Sequence, residues 1–176
     1  MSKTPSCPEP LLPFLYRWSR THVDLVSADT LPELGVDLLT AGFDSPEVVS
    51  LAVCDSTDDT DELQRAARRA FASLGVESDA PDFHEVVVGN SAAQQIADGS
   101  VDPEDGLAEM VRLCRITRYS KLFEDWTLLG EAIYLFRDGC GGIEPFLDLT
   151  EETIPDTIRT LARQFLEKHA IQCPPG

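Results

Sequence analysis

Along most of the chain, apolar residues recur every three or four positions, which is the spacing of a helix with one buried face. The clearest case is residues 59–74, where acidic residues crowd the start and arginines follow later. The helix dipole favours that order of charges, and Gly75 supplies a left-handed stop directly afterwards. We therefore predict a helix over residues 59–74. Its buried stripe is expected to contain Leu63, Ala66, Ala67, Ala70, Phe71 and Leu74.

Four further helix starts are predicted from residues that cap helices. Two of them place a capping side chain directly before a proline, which is well tolerated at the first helical position. The other two place an acidic residue three positions after a threonine, a spacing at which both side chains can cap one helix start. The four pairs are Ser45 with Pro46, Asp102 with Pro103, Thr30 with Glu33 and Thr153 with Asp156.

The remaining helical patterns cover residues 83–97, 121–136 and, interrupted by proline, 11–26. Short runs of β-branched and aromatic residues occur as well, but they lie inside these helical patterns. Residues 138–142 are rich in glycine, so a small hairpin is the alternative to a loop there. The sequence thus predicts an all-α fold.

We expect these helices to form one compact domain. A bundle of about six to eight short helices would occupy residues 1–171, and residues 172–176 would form a frayed tail. The core of such a bundle is built from the apolar stripes of its helices. The stripes predict a core that includes Phe71, Leu74, Leu107, Val111, Trp126, Leu129, Ile133, Leu161 and Phe165.

The charge balance narrows the range of partners. The chain carries 14 lysines and arginines against 31 aspartates and glutamates, a formal net charge of −17. A surface of that charge repels phosphate backbones and anionic lipids, so we expect no direct nucleic-acid binding and no membrane binding. No apolar run approaches the length of a bilayer span, and prolines interrupt the apolar residues near the start, unlike in a signal peptide. Five widely spaced cysteines without a CxxC pair indicate reduced thiols, which predicts a cytoplasmic protein.

No catalytic or cofactor motif stands out. Cys140, flanked by glycines, is the best nucleophile, but no histidine lies near it in the sequence to activate it. His169, Cys173 and Cys140 supply three metal ligands, whereas a structural zinc site uses four. The acidic stretches at residues 55–66 and 98–109 both lack the glycine that a calcium loop requires at its sixth position. We expect no catalytic site, no metal and no cofactor, with a Cys140-based enzyme as the alternative.

The chain has three histidines, and we interpret all of them as structural residues. His22 stands two positions before Asp24, a spacing that points two side chains to different faces of a helix. His84 stands directly before Glu85, which separates that pair in the same way. His169 continues the apolar face of the last predicted helix, where a helix C-terminus also favours a cation.

Carboxylates gather in three stretches, at predicted helix starts or in the loops before them. Capping needs one or two carboxylates per helix start, so the excess points to an acidic face for a basic partner. We predict that the first two stretches form that face, and that Tyr119 or Trp126 adds an aromatic anchor if it is exposed. The first acidic cluster is Asp55, Asp58, Asp59, Asp61 and Glu62, the second is Asp98, Asp102, Glu104, Asp105 and Glu109, and the third is Asp138, Glu144, Asp148, Glu151, Glu152 and Asp156.

Three segments, residues 42–52, 62–76 and 96–110, resemble parts of a group of small, acidic, helical bacterial proteins of uncharacterised function. The resemblance covers roughly the middle two thirds of the chain and rests on turn and cap motifs. It implies a helical fold and transfers no catalytic residue. In size and charge the group is similar to the immunity proteins that bacteria use against toxins. The matching positions are Gly42, Phe43, Asp44 and Ser45, then Leu74 and Gly75, then Ile96, Gly99, Asp102, Pro103 and Gly106.

Together these observations favour an acidic protein-binding module, an immunity- or antitoxin-like inhibitor of a basic protein such as a toxin or a nucleic-acid-binding protein. We expect it to be a monomer or a weak dimer. One alternative is a nucleic-acid mimic, which would occupy a DNA- or RNA-binding protein with carboxylates in place of phosphates. Another alternative is a helical housekeeping protein whose acidic surface serves solubility.

Overall fold

The computed structural model describes residues 7–171, in which eight α-helices and three short 3₁₀ helices follow one another. No strand occurs within this range, so the prediction of an all-α fold with six to eight helices is confirmed. The tail predicted to fray, residues 172–176, lies outside the described residues. The α-helices are α1 (Leu12–His22), α2 (Leu31–Thr40), α3 (Pro46–Ala52), α4 (Thr60–Ser73), α5 (Phe83–Asp98), α6 (Pro103–Ile116), α7 (Glu124–Arg137) and α8 (Ile154–Lys168). The 3₁₀ helices are Glu9–Leu11, Ala28–Thr30 and Lys121–Phe123.

The glycine-rich segment after α7 forms a turn. Gly139 and Gly141 have φ angles of +74° and +85°, which glycine adopts without strain, and they follow the end of the helix directly. An isolated antiparallel bridge joins Ile143 to Phe146, beyond the segment where a hairpin was the alternative. The alternative prediction of a hairpin at residues 138–142 is therefore wrong, because the glycines there end a helix and do not connect two strands.

The described residues group into two compact units by their internal contacts. Unit 1 contains residues 7–88 together with Ile171, and unit 2 contains residues 89–170. The division falls within α5. The single domain expected over residues 1–171 stays a prediction.

In unit 1, α2, α3 and α4 pack against one another, and α1 contributes Trp18 to their core. Trp18 stacks on Phe71 of α4 with the two ring centroids 4.6 Å apart. Gly35 lies where α2 meets α3, and a Cβ atom at this position would stand 2.6 Å from the amide nitrogen of Ala52. Only glycine lets the two backbones approach this closely.

In unit 2, α6 packs against α7 and α8 around a group of aromatic rings. The ring centroid of Phe165 lies 6.0 Å from that of Phe123 and 6.3 Å from that of Trp126. Gly89 makes room for this group, since a Cβ atom there would stand 2.7 Å from Cζ of Phe165. The core of unit 2 is therefore aromatic and closely packed.

Several helix starts are capped as the sequence predicts. The hydroxyl of Ser45 accepts a hydrogen bond from the amide of Val48 at 3.1 Å, and a carboxylate oxygen of Asp102 accepts one from the amide of Glu104 at 2.9 Å. The helix predicted over residues 59–74 is α4, which Asp59 caps in the same way. These starts form as expected because the capping bond is local.

Thr30 and Thr153 precede helices as predicted, but their side chains do not cap them. Each has helical backbone angles, whereas a capping residue needs an extended backbone. Their hydroxyls donate backwards instead, Thr30 to the carbonyl of Ser27 at 2.9 Å and Thr153 to the carbonyl of Thr150 at 3.1 Å. The two capping predictions are wrong because a preceding turn already fixes both threonines.

The predicted core is largely confirmed. Leu74 is only partly buried because α4 ends at Ser73, and Val111 and Leu161 lie at the edges of their apolar stripes, where they are also partly buried. The six predicted core residues that are buried are Phe71, Leu107, Trp126, Leu129, Ile133 and Phe165.

Candidate functional site

The first acidic cluster lies in the loop before α4 and in the first turn of that helix, and all of its side chains are exposed. Asp55 accepts two hydrogen bonds from Thr57, from its amide at 2.9 Å and from its hydroxyl at 2.8 Å, which lower the pKa of the Asp55 carboxyl. Asp58 accepts a bond from the amide of Asp55 at 2.9 Å, and Asp59 accepts one from the amide of Asp61 at 2.8 Å. Three of the five carboxylates thus fix the loop and the helix start.

None of the described basic residues forms an ion pair with this cluster. Within residues 7–171, no lysine or arginine nitrogen lies within 4.0 Å of its carboxylate oxygens. Its negative charges therefore act together on the surrounding solvent.

The second acidic cluster, at the start of α6, is partly neutralised by arginines. The guanidinium of Arg137 donates two hydrogen bonds to Glu104, at 2.8 and 2.9 Å, and two to Glu151, at 2.9 and 2.8 Å. These bonds lower the pKa of both glutamates and raise the pKa of the guanidinium. Arg112 pairs with Glu109 at 3.2 Å. Two of the five carboxylates in this cluster are therefore paired with an arginine.

The aspartates of the second cluster have local roles. Asp98 accepts hydrogen bonds from the hydroxyl of Ser100 at 2.6 Å and from its amide at 2.9 Å, and both bonds lower the pKa of Asp98. Asp102 caps α6, and Asp105 is exposed in its first turn. The first cluster lies in unit 1 and the second in unit 2. Whether they form one face stays a prediction.

The two candidate aromatic anchors lie in different environments. Tyr119 is 72% exposed, in a turn after α6 where its φ angle is +63°. Trp126 is 1% exposed because it belongs to the apolar stripe of α7 and packs against Phe165. Trp126 therefore cannot contact a partner in this conformation, and its prediction as a binding residue is corrected to a core position.

A cleft of about 440 Å³ lies between α1 and α4 in unit 1, and the sequence did not predict it. Trp18 lies at its base and donates a hydrogen bond from its indole nitrogen to the Oε1 atom of Gln64 at 3.0 Å. The side-chain nitrogen of Gln64 donates to the hydroxyl of Thr21 at 3.1 Å. These two bonds hold the side chain of Gln64 in the wall of the cleft.

Two stacked histidines adjoin the cleft. The ring of His22, which lines it, stacks on the ring of His84 with centroids 3.9 Å apart. His84 is 6% exposed, its Nδ1 atom lies 3.0 Å from the hydroxyl oxygen of Ser19, and its Nε2 atom has no hydrogen-bond partner among the described residues. Burial, followed by the charges of His22 and Arg68, lowers the pKa of His84 to about 3. The ring of His84 is therefore uncharged at neutral pH.

The charged residues around this pair are Arg68 and Asp24. Burial is the main cause that lowers the pKa of His22 and Arg68 adds to it, while a hydrogen bond with Gln64 and the charge of Asp24 act in the opposite direction. His22 and Asp24 line the same cleft, although helical spacing predicted different faces. That prediction is wrong because α1 ends at His22 and Asp24 adopts a left-handed conformation with a φ angle of +57°.

The cleft carries unpaired charges of both signs. Arg68 forms no ion pair or hydrogen bond with any residue in the described part of the chain, and Arg65 donates from Nε to the backbone carbonyl of Asp61 at 3.0 Å. The carboxylates of Asp24 and Asp61, which also line the cleft, have no hydrogen bond or ion pair within residues 7–171. Two guanidinium and two carboxylate groups thus share one concave surface without neutralising one another.

The other candidate chemistry remains sparse. The Sγ atom of Cys140 is exposed and lies 3.9 Å from a carboxylate oxygen of Asp138, and Cys173, the third ligand of the possible zinc set, lies outside the described residues. Among residues 7–171, no group of three or more histidine, cysteine or acidic side chains is placed to hold a metal ion. None of the helices described is long and apolar enough to span a membrane.

Comparisons of the chain with protein-family models, with curated proteins and with solved structures gave no match.

Proposed function

We propose that this protein is an acidic protein-binding module that inhibits a basic protein partner, in the manner of an immunity protein or antitoxin. The observation that carries the proposal is the first acidic cluster, whose five exposed carboxylates have no lysine or arginine within 4.0 Å among residues 7–171. A positively charged surface that approached this cluster would not have to displace an existing counter-ion from the protein.

Local structure accounts for only part of this cluster. Asp55, Asp58 and Asp59 hold the loop and the start of α4, whereas the carboxylates of Asp61 and Glu62 accept no hydrogen bond from another described residue. Asp61 and Glu62 thus interact favourably with the dipole of α4 but make no capping bond, so their carboxylates remain available to a partner. In the second cluster, by contrast, Arg137 and Arg112 engage glutamates, so we assign it a secondary part in binding.

The proposal involves no catalytic step. The charge of the first cluster would mainly accelerate the encounter with the partner, and Tyr119, which is 72% exposed, would serve as an aromatic contact. Cys7, Cys54, Cys114 and Cys140 are all free thiols, which is consistent with a reducing compartment. We therefore propose that the inhibitor acts in the cytoplasm.

The test begins with capture of partners from the native host and continues with association kinetics. In the double variant Asp58→Asn with Glu62→Gln, the asparagine keeps an acceptor oxygen for the amide of Asp55, so the loop should be retained. We expect association with the basic partner to slow about tenfold or more at low salt, and the difference to shrink as salt rises. The matched control, Asp105→Asn with Glu109→Gln in the second cluster, removes the same charge and should slow association less.

Recovery of acidic partners alone, or equal association rates for the double variant and the wild-type protein at low salt, would contradict the proposal. A captured partner that is released by duplex DNA or RNA would identify the protein as a nucleic-acid mimic, because the two ligands would then compete for one site.

A further inference from the structure

The cleft between α1 and α4 combines features that point to a small ligand. The chain has 31 acidic residues against 14 basic ones, yet Arg68 on the cleft wall pairs with none of the described carboxylates. Its guanidinium lies close enough to His22 and His84 to influence both rings. An anionic group in the cleft would therefore meet an uncompensated guanidinium beside the ring of His22.

The same cleft also offers groups that attract a cation. The carboxylates of Asp24 and Asp61 line it, and no described residue donates a hydrogen bond to them or forms an ion pair with them. Because Arg65 and Arg68 line the cleft as well, a simple cation would be attracted by one pair of side chains and repelled by the other.

The charge of the whole protein decides between the ligand classes. A formal net charge of −17 repels a simple anion before it reaches the cleft. A molecule that carries one positive and one negative group has no net charge and escapes this repulsion. Inside the cleft, its two groups could face the arginines and the aspartates at the same time.

We propose that this cleft binds a small zwitterion with a carboxylate and an ammonium group, of which a free amino acid is the simplest example. The carboxylate is assigned to Arg68 and the ammonium group to Asp24 and Asp61. The volume, about 440 Å³, lies within the range of small-molecule sites, about 300–1,000 Å³. The cleft shares Asp61 with the first acidic cluster, but Arg68 and Asp24, the positions varied below to test it, lie outside that cluster, so this inference can fail while the proposed protein interface stands.

The two tryptophans of the chain provide a signal and an internal control. The indole N–H of Trp18 bonds to Gln64 in the cleft, whereas Trp126 lies in the core of unit 2. We would titrate the full chain with glycine and with L-glutamine at constant ionic strength, and follow both indole signals by proton–nitrogen NMR. The Trp18 signal should shift and saturate with a Kd of the order of 1 mM, and the Trp126 signal should stay in place.

Acetate and methylammonium test the two halves of the ligand separately. Each carries one of the two charged groups of glycine, so each should shift the Trp18 signal far less than glycine does at the same concentration. The inference is supported if glycine or L-glutamine causes a saturable shift of the Trp18 signal that is larger than the shifts caused by acetate and by methylammonium. No saturable shift of the Trp18 signal with glycine or L-glutamine, or an equal shift with acetate, would overturn it.

Variants on either side of the cleft test which side chains bind the carboxylate and the ammonium group of the ligand. Arg68→Ala should weaken binding about tenfold or more, because it removes a charged hydrogen-bond donor. The matched control is Arg69→Ala, which removes the same charge from the neighbouring position of α4 but does not line the cleft, and it should leave the Kd unchanged. Asp24→Asn tolerates the left-handed backbone and should reduce the preference for glycine over acetate, because only Asp61 then remains to bind the ammonium group. Equal losses in the two arginine variants would show that the response reflects surface charge alone and would overturn the assignment.

Discussion

Unit 1 and unit 2 differ in where they keep polar side chains and in how they pair charges. In unit 1, the described side chains that are polar and buried are Ser19, Thr21 and His84, whereas in unit 2 the buried polar side chain is Asn90. Among the described residues, ion pairs are more frequent in unit 2, where Arg112, Arg137 and Arg159 bind carboxylates, although Arg17 binds Asp37 in unit 1. Arg137 alone binds two glutamates in unit 2, while the first acidic cluster and Arg68 of unit 1 pair with no described residue.

The contrast separates charges that stabilise the fold from charges that remain available to a ligand. A glutamate that already binds an arginine must lose that contact before it can bind a partner. An unpaired carboxylate or guanidinium has no such contact to lose. The charges that Arg137 pairs in unit 2 therefore act within the protein, and the first acidic cluster and Arg68 of unit 1 are the better candidates for recognition.

Truncation of the buried tryptophan in either unit should have the largest effect. Trp18→Ala and Trp126→Ala should each lower the free energy of unfolding by about 3–5 kcal/mol, because each removes a buried ring and leaves a cavity. Urea unfolding followed by circular dichroism measures this change. A loss below about 1 kcal/mol would place the ring at the surface.

Phenylalanine at the same two positions sharpens the comparison. Trp18 donates a hydrogen bond to Gln64, so Trp18→Phe also leaves an acceptor without its partner. It should therefore cost about 1 kcal/mol more than Trp126→Phe, where the main loss is ring volume. Equal losses would show that the polar contact in unit 1 contributes nothing to stability.

The buried histidine should make unit 1 sensitive to acid. The pKa of His84 is about 3 in the folded protein, against 6.5 for an ordinary histidine. Between these values the unfolded chain binds more protons, so the stability that His84 contributes is complete above pH 6.5 and is lost as the pH falls. The expected loss is of the order of 1 kcal/mol per pH unit below about pH 6.

His84→Asn supplies the control for this prediction. Asparagine does not titrate and can still bond to Ser19, and carboxylates contribute equally to the pH dependence of both proteins. Unfolding free energies at pH 7, 6 and 5 should therefore fall more steeply for the wild-type protein than for the variant. Parallel slopes would show that another group causes the acid sensitivity.

The smallest effect should come from the arginine that bridges two glutamates in unit 2. Arg137→Ala leaves Glu104 and Glu151 near each other without their shared counter-ion, so the Tm should fall slightly at low salt. Added salt should remove the difference, because all of these groups are exposed and screened. Arg68→Ala in unit 1 has no ion pair to lose and should lower the Tm less. A larger fall in Tm for Arg68→Ala than for Arg137→Ala would contradict the contrast between the two units.

The helices were predictable because their determinants lie close together in the sequence. The segment predicted over residues 59–74 became Thr60–Ser73, with Asp59 as its cap and Gly75 beyond its end. Where a neighbouring turn intervened, as at Thr30, the helix was still correct and only its cap was wrong. Apolar periodicity thus predicted these elements even when one local contact failed.

The pairing of charges and the cleft could not be predicted in this way, because both depend on distant residues. Glu104 and Arg137 are 33 positions apart, so the sequence gives no indication that the second acidic cluster is partly neutralised. Trp18 and Gln64 are 46 positions apart, and their contact forms only after α1 packs beside α4. Similarly, the backbone of Asp24 is left-handed, so the helical spacing that predicted different faces for His22 and Asp24 does not apply there.

The close approach of α2 and α3 also has a consequence for recognising relatives of this chain. Gly35 stands against the backbone of Ala52, so any side chain at position 35 would force the two helices apart. This contact restricts position 35 to a single residue type, whereas exposed carboxylates have no such backbone neighbour. A search template should therefore weight Gly35, Gly42 and the Ser45–Pro46 start of α3 above the carboxylates, since helix geometry limits substitution there more than surface charge does.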